Sequence, residues 1–244
     1  MAADGIKRAV TFVTSSFSSY SGCRQYLEDI DRARAEVGES APQLDKLRAF
    51  FNHPGFIEAM TSRLRHALQQ ISEDRRSKSP ILFTAHSIPV SMAESCPYVL
   101  QIEEACRLVS ESAGCTSWRI VYQSRSGPPS QAWLEPDIGE ALREIARTEQ
   151  RDVVVMPIGF VSDHMEVLYD LDTEAYDLSR KLGLNMVRAA TAGTHPAFIG
   201  MIGDLIRERD RGARPKVIGS HAPAPDLCAP GCCPAGSKPG RKPV

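Results

Sequence analysis

The sequence has little net charge and no cluster of basic residues. Its 244 residues include 29 Lys and Arg against 30 Asp and Glu, so the formal net charge at pH 7 is −1. Proteins that bind nucleic acid carry a basic patch or stripe that neutralises phosphate groups. The composition therefore excludes nucleic acid as the expected partner.

Long apolar runs are also missing. No apolar stretch reaches the length needed to span a membrane, and the first ten residues, MAADGIKRAV, do not form a signal peptide. We therefore expect no transmembrane segment and a cytoplasmic location. With 42% hydrophobic and 24% charged residues, the chain has the composition of a globular protein with one large or two small domains.

Cysteine is sparse except at the C-terminal end. Three of the seven cysteines lie close together at positions 228, 232 and 233. In a cytoplasmic chain this distribution favours metal or redox chemistry over a disulfide framework. Cys96, Cys106 and Cys115 lie in or beside predicted helices and strands, where we expect them to be small buried apolar side chains.

Segments typical of strands and helices alternate along the chain. The predicted strands are 9–14, 81–85, 118–122, 153–158 and 186–189. The predicted helices are 24–37, 56–71, 94–112, 138–147, an acidic helix starting near residue 163, and 196–209. This alternation predicts an α/β fold with a doubly wound parallel sheet. From residue 211 onward, Pro, Gly, Ala and Cys dominate, and this tail is expected to lie outside the sheet.

The segment 151–183 joins a strongly apolar strand to an acidic helix. Gly159 and Ser162 are expected to end the strand and cap a helix that begins near Asp163. At 100° per residue, five carboxylates share one arc, and no Lys or Arg compensates them before Arg180. These five are Asp163, Glu166, Asp170, Glu174 and Asp177. The pattern fits either a solvated helix face or a row that handles a cation or protons.

Polar residues follow several predicted strands at their C-terminal ends. In an open parallel sheet, ligands bind beyond these ends. His86, the turn 123–125 and Glu166 are therefore expected to face one crevice. Considered alone, His86 is better explained as a core histidine held by hydrogen bonds than as a site residue. A binding site is favoured because His86, the turn 123–125 and Glu166 all lie at strand ends.

Three segments resemble the motifs of ferrochelatases, enzymes that insert ferrous iron into a porphyrin. They are 83–89 (FTAHSIP), 122–138 (YQSRSGPPSQAWLEPDI) and 157–174 (PIGFVSDHMEVLYDLDTE). The segment 17–26 (FSSYSGCRQY), with the Cys-rich tail, resembles the actinobacterial branch, which is associated with coproporphyrin III and a [2Fe–2S] cluster. The resemblance implies the chelatase fold: two Rossmann-like lobes with doubly wound parallel sheets and the porphyrin between them.

The resemblance also implies a division of the chain. The family begins with a strand and a Gly-rich phrase of the type NLGTP, which this sequence lacks. Residues 1–17 then correspond to the last strand of an N-terminal lobe that is mostly missing, and residues 18–192 to a complete C-terminal catalytic lobe. Residues 193–212 form a helix returning to the N-terminal lobe, and 213–244 a Cys-rich tail. On this expectation, the chain alone is prone to aggregate and has negligible chelatase activity.

Residue roles follow from the same resemblance. His86 is expected to be a catalytic base, a ligand of the incoming iron, or both, with Glu166 opposite it. Asp170 and Glu174 extend a carboxylate row that carries iron or protons. The residues expected to contact the porphyrin are Tyr20, Ser124, Arg125 and Trp133, although Trp133 fits a core aromatic nearly as well.

The resemblance implies a [2Fe–2S] cluster bound by Cys228, Cys232 and Cys233, with Cys23 as the fourth ligand. Zinc suits four thiolates equally and is the rival metal.

Three functions stay open at this point. The first is a ferrochelatase that converts coproporphyrin III to coproheme in heme biosynthesis. The others are a related cobalt chelatase and a truncated, inactive protein that binds tetrapyrrole or iron.

Overall fold

The computed structural model describes residues 1–236. Its strands are β1 Arg8–Thr11, β2 Gln43–Lys46, β3 Ile81–His86, β4 Trp118–Gln123, β5 Asp152–Met156 and β6 Asn185–Arg188. Its α-helices are α1 Gln25–Val37, α2 Pro54–Leu68, α3 Glu73–Arg76, α4 Val90–Ala93, α5 Tyr98–Ala113, α6 Ile138–Ala146, α7 Met165–Tyr169, α8 Tyr176–Lys181 and α9 Pro196–Arg211. A 3-10 turn at Gly38–Ser40 and two π-helical turns, Tyr20–Arg24 and Asp170–Ala175, complete the set.

Four strands form a parallel sheet in the order β4-β3-β5-β6. The internal strand β5 is fully buried because its β-branched side chains are apolar on both faces. One face packs against α2, α5 and α9, and the other against α6 and the helix that begins with α7. This arrangement confirms the predicted α/β fold with a doubly wound parallel sheet.

A second, two-stranded parallel sheet pairs β1 with β2. The sequence did not suggest β2, because Gln43, Asp45 and Lys46 give it little apolar character. The carboxylate of Asp45 is buried and accepts hydrogen bonds from Arg8 (2.5 Å) and Arg209 (2.6 Å). These contacts lower the pKa of Asp45 to about 2, and the hydrogen bond from Arg8 has the largest effect. The expectation of a buried strand over 9–14 is wrong, since residues of β1 alternate between exposed and half-buried.

Two predicted helix starts are also wrong. Helix α5 begins at Tyr98 and not at residue 94, because Pro97 lies at its N-cap and disfavours helical backbone before it. The acidic helix begins at Met165, and its π-helical turn Asp170–Ala175 interrupts the regular 100° advance. The single continuous arc of five carboxylates is therefore lost.

Charge compensation reaches one of the five predicted carboxylates, Asp163, which precedes α7, and also Asp172, which is not one of the five. Arg188, on β6, donates to Asp163 at 3.0 Å and pairs with Asp172. The compensating cation thus comes from a neighbouring strand, which spacing along one helix could not reveal.

Helix α9 closes the core against α2. Its buried apolar side chains are Phe198, Met201 and Leu205, whereas Ile199 is 49% and Ile206 40% exposed. A buried ion pair joins Arg48 to Glu208 on α9 at 2.7 Å. The backbone N–H of Lys216 also donates to Glu208 (2.8 Å), which fixes the start of the tail.

His53 lies under this junction and is 1% exposed. Its Nδ1 accepts a hydrogen bond from the N–H of Gly55 (3.0 Å) and so caps α2. Burial lowers the pKa of His53 to about 4. The imidazole is therefore neutral at physiological pH, with its proton on Nε2.

Within residues 1–236, no helix is long and apolar enough to cross a membrane.

Candidate functional site

A cleft with a volume of about 490 Å³ opens beyond the C-terminal end of β3. His86 and Glu166 lie on its floor, with Trp133 on one side. The opposite wall comes from residues 15–26, which include the π-helical turn Tyr20–Arg24. The position agrees with the rule that ligands bind at the carboxyl edge of a parallel sheet.

The hydrogen bonds of His86 define its tautomer. Its Nδ1 lies 2.5 Å from the carbonyl oxygen of Ser87, which can only accept, so Nδ1 carries the proton. Nε2 therefore presents a lone pair toward Glu166, whose Oε1 is 3.9 Å away. The hydroxyl of Tyr98 donates to the carbonyl of His86 (2.9 Å) and holds the backbone. A neutral imidazole in this state can accept a proton or bind a divalent metal.

A close backbone contact brings Glu166 to the cleft. The N–H of Gly159, just after β5, donates to the carbonyl of Thr84 on β3 (3.0 Å). A Cβ atom at Gly159 would lie only 2.7 Å from the Cα atom of Ala85. Glycine is required here because any side chain would push the loop away from β3. The helix carrying Glu166 would then move away from His86.

A second cavity, of about 460 Å³, lies beside the cleft. It is lined by Ser124, Arg125, Asp170 and Glu174. Ser124 has a positive φ of 59°, and its hydroxyl donates to the carboxylate of Asp170. The sequence predicted one crevice for His86, the turn 123–125 and Glu166, whereas the structure places the turn in this second cavity and His86 and Glu166 in the cleft. Glu166 lines the cleft and Asp170, one helical turn later, lines the second cavity.

The four residues expected to contact a porphyrin have different positions. Trp133 lines the cleft and packs on Gly127, where a Cβ atom would lie 2.4 Å from the ring. Ser124 and Arg125 line the second cavity. Tyr20 lines neither, and its hydroxyl donates to Glu28 (3.0 Å). The tyrosine that lines the cleft is Tyr26.

The expected metal-binding cysteines lie near one another. The Sγ atoms of Cys23 and Cys228 are 3.9 Å apart, and Cys232 lies close enough to Cys228 and Cys233 to raise the pKa of both thiols. The hydrogen bond with Cys228, aided by the charge of Lys46, lowers the pKa of Cys23 to about 6. Burial is the main cause that raises the pKa of Cys233 to about 12.

These sulfur contacts are pairwise and do not converge on a common centre. In the part of the chain up to residue 236, no three His, Cys, Asp or Glu side chains are arranged to hold a metal ion. The all-thiol donor set suits iron–sulfur or zinc chemistry, but its geometry here is not that of a closed metal site.

Comparison with known proteins gives the same assignment across the chain. The ferrochelatase family profile matches residues 1–210. A ferrochelatase of Rhodopirellula baltica is 52% identical over 235 residues, which cover 96% of this chain and 67% of that protein. The coproporphyrin III ferrochelatases of Nocardia farcinica and Mycolicibacterium smegmatis are 45% and 42% identical. The matches cover 96% and 95% of this chain and 70% and 72% of those proteins.

Solved structures agree on the fold. SirB from Bacillus subtilis with Fe³⁺ has a TM-score of 0.57 and 12% sequence identity, over 86% of this chain and 76% of that one. The sirohydrochlorin chelatase SirB with cobalt, from the spizizenii subspecies, has a TM-score of 0.55 and 13% identity, over 86% and 73% of the two chains. Such low identity supports a shared chelatase fold and nothing finer. The family match and the curated relatives, together with the cleft at the sheet edge, show that the chain belongs to the ferrochelatase family.

Proposed function

We propose that this protein inserts Fe²⁺ into coproporphyrin III to give coproheme, a step of heme biosynthesis. The observation that carries the proposal is that Nε2 of His86 and Oε1 of Glu166, two groups that can accept a proton or bind a cation, lie 3.9 Å apart in the cleft. The names of the Nocardia and Mycolicibacterium relatives support coproporphyrin III as the substrate.

Metal insertion exchanges two pyrrole protons for one divalent cation. Nε2 of His86 can accept a pyrrole proton, because Nδ1 already donates to Ser87. Glu166 can take that proton onward, which frees Nε2 for the second pyrrole proton, and it can also hold the arriving Fe²⁺, since carboxylate oxygen and imidazole nitrogen both bind this ion. Asp170 and Glu174 continue the carboxylate path into the second cavity.

The walls of the cleft suit a flat, carboxylate-bearing macrocycle. Trp133 and Tyr26 offer aromatic surface to an apolar ring. The hydroxyl groups of Ser19 and Ser21 line the cleft 3.5 Å apart, and one of the two can donate a hydrogen bond to a carboxylate at the edge of the ring.

Neutralising Glu166 is expected to reduce iron insertion more than neutralising Glu174. Glu166 faces His86 across 3.9 Å, whereas Glu174 lies in the second cavity. We expect Glu166→Gln to lose about 10²-fold or more in kcat, as for a group that transfers protons. The measurement is anaerobic insertion of Fe²⁺ into coproporphyrin III, followed by the absorbance of the product.

Two further variants make this comparison specific. Glu174→Gln should lose less, and the charge-conserving Glu174→Asp should be nearly silent. Equal losses at positions 166 and 174 would mean that the acidic residues act as one electrostatic patch. Faster insertion of Co²⁺ than of Fe²⁺ would favour the cobalt chelatase alternative.

We also propose that Cys23, Cys228, Cys232 and Cys233 bind a [2Fe–2S] cluster. The linked sulfur contacts support this site, as do the cationic side chains of Lys46 and Arg24 beside it. Thiolate ligands give such a cluster net negative charge, which nearby cations stabilise.

Anaerobically purified protein is therefore expected to be brown, and Cys233→Ser is expected to remove the visible charge-transfer absorbance. Metal analysis should find iron and inorganic sulfide in the wild type. Cys115→Ser is the matched control, because Cys115 lies away from the tail, and it should leave the colour unchanged. A colourless wild type with stoichiometric zinc would contradict the cluster and support the rival metal.

A further inference from the structure

The side chain of Gln123 links the segments that carry the proposed iron path. Gln123 ends β4, lies opposite His86 in the sheet register and is 1% exposed. Its backbone carbonyl accepts from the N–H of Ser87 (2.8 Å), next to the histidine. This backbone hydrogen bond fixes the side of the cleft that carries His86. The side chain of Gln123 is left to contact the side that carries Glu166.

The amide nitrogen of Gln123 reaches the acidic helix. Nε2 lies 3.3 Å from the carbonyl oxygen of Glu166 and 3.3 Å from Oδ2 of Asp170. Both neighbouring oxygens accept hydrogen bonds, so the NH₂ group of the amide must point at them. In the opposite orientation the amide oxygen would face the carboxylate of Asp170, and two acceptors would repel each other. Asp170 therefore receives two hydrogen bonds, one from Gln123 and one from Ser124.

The other end of the same amide has no partner. Oε1 of Gln123 is buried and makes no hydrogen bond to any residue in the range 1–236. Leaving a buried polar atom unpaired destabilises the fold, and an apolar side chain of similar length would avoid this cost. Stability of the core therefore does not explain a glutamine here, whereas its two contacts with the acidic helix do.

The backbone around Gln123 supports the same interpretation. Ser124 has a positive φ, which is uncommon outside glycine and occurs mainly where the surrounding structure imposes it. This conformation turns the hydroxyl of Ser124 onto the same carboxylate that Gln123 contacts. Two consecutive residues are thus arranged around Asp170.

We propose that Gln123 is a positioning residue that holds the carboxylate of Asp170 in line with Glu166, so that a divalent cation passes between the second cavity and the cleft. The inference rests on the proposed iron path and adds a residue to it. Without the amide, Ser124 alone holds Asp170, and the carbonyl of Glu166 loses its link to β4.

The test measures divalent metal binding and iron insertion separately. Mn²⁺ binding, followed by electron paramagnetic resonance, reports on oxygen ligands and is insensitive to the thiol site. Gln123→Met is expected to weaken Mn²⁺ binding about tenfold. This is the low end of the loss in metal affinity expected when a residue that hydrogen-bonds a metal ligand is removed. In the insertion assay, KM for Fe²⁺ should rise by a similar factor, with the dissociation constant of coproporphyrin III unchanged within about twofold.

Thr84→Val provides the matched control. Thr84 is 0% exposed, lies on the neighbouring strand β3 and has an unpaired hydroxyl, so its replacement also removes a buried polar group. Neither Mn²⁺ binding nor KM for Fe²⁺ should change in this variant. Equal losses in Thr84→Val and Gln123→Met would overturn the proposal, since general disturbance of the sheet would then explain both.

A double-mutant cycle tests whether Gln123 acts through Asp170. Once Asp170→Asn has removed the carboxylate, adding Gln123→Met should weaken Mn²⁺ binding no further, whereas independent effects would add. Additive losses would overturn the proposal. If Gln123→Met fails to fold, Gln123→Asn, whose amide is one methylene too short to reach Asp170, takes its place with the same expected result.

The two proposals fail in different ways. A wild-type protein that binds Mn²⁺ but inserts no iron contradicts the proposed function, and the Mn²⁺ cycle still decides the role of Gln123. A protein that inserts iron, with Gln123→Met indistinguishable from wild type, contradicts the role of Gln123 alone.

Discussion

His86→Ala is expected to reduce iron insertion by about 10²–10⁴-fold, the range for losing a group that transfers protons. The substitution removes the only imidazole among the described residues that line the cleft. It should leave the fold intact, because the backbone of His86 keeps its bonds to β4 and its contact with Tyr98. Turnover is measured with Fe²⁺ and coproporphyrin III, and folding by circular dichroism and thermal unfolding.

The binding of coproporphyrin III separates chemistry from substrate affinity in this experiment. Fluorescence quenching of the porphyrin should give similar dissociation constants for the wild type and His86→Ala. His66→Ala is the control, since His66 is an exposed histidine on α2 and is remote from the cleft. A His86→Ala protein that keeps a substantial fraction of wild-type turnover would contradict an essential role.

The free energy of unfolding is expected to fall by up to about 3 kcal/mol between pH 6.5 and pH 4 because of His53. Its pKa is about 4 in the folded protein, against an ordinary value of 6.5. The unfolded chain therefore binds a proton before the folded chain does as the pH falls. The stabilisation is fully present above pH 6.5 and is lost toward pH 4.

The surroundings of His53 explain the direction of its pKa shift. Burial has the largest effect, and the positive charge of Arg48 adds to it. The negative charges of Glu208 and Asp204 oppose the shift, and Lys216 partly cancels them. Asp204 Oδ2 is 3.8 Å from Nε2 of His53, too far for a hydrogen bond that would favour the charged ring.

His53→Asn tests this assignment without removing the helix cap. Asparagine is a favourable N-cap residue and can accept from the N–H of Gly55, but it does not titrate. Urea unfolding at several pH values should show a smaller slope between pH 6.5 and pH 4 in this variant than in the wild type. An unchanged slope would assign the acid sensitivity to other groups.

The sequence predicted those parts of the fold whose cause is local. Strand β5 could be predicted because its run of β-branched side chains suits burial on both faces of a sheet. The position of His86 followed from the end of β3 and from the rule for parallel sheets. Both predictions needed only neighbouring residues and the alternation of strands with helices.

Features that depend on distant residues were missed. Strand β2 is stabilised through Asp45, whose partners Arg8 and Arg209 lie far away in sequence. The pairing of Arg188 with the acidic helix is equally remote. The π-helical turns are local, but no periodic pattern reports them. The division of the expected crevice into two cavities, and the presence of Tyr26 in the cleft instead of Tyr20, were likewise not predicted.

The strand order has a consequence for the synthesis of the protein on the ribosome. Strand β3 lies between β4 and β5, and both partners follow it in the chain. When β3 leaves the ribosome, its apolar residues Ile81–Phe83 have no neighbouring strand. This edge stays open until β5 is made, and an open apolar strand is prone to aggregate. A nascent chain that pauses between these strands is therefore more prone to aggregate than the finished chain.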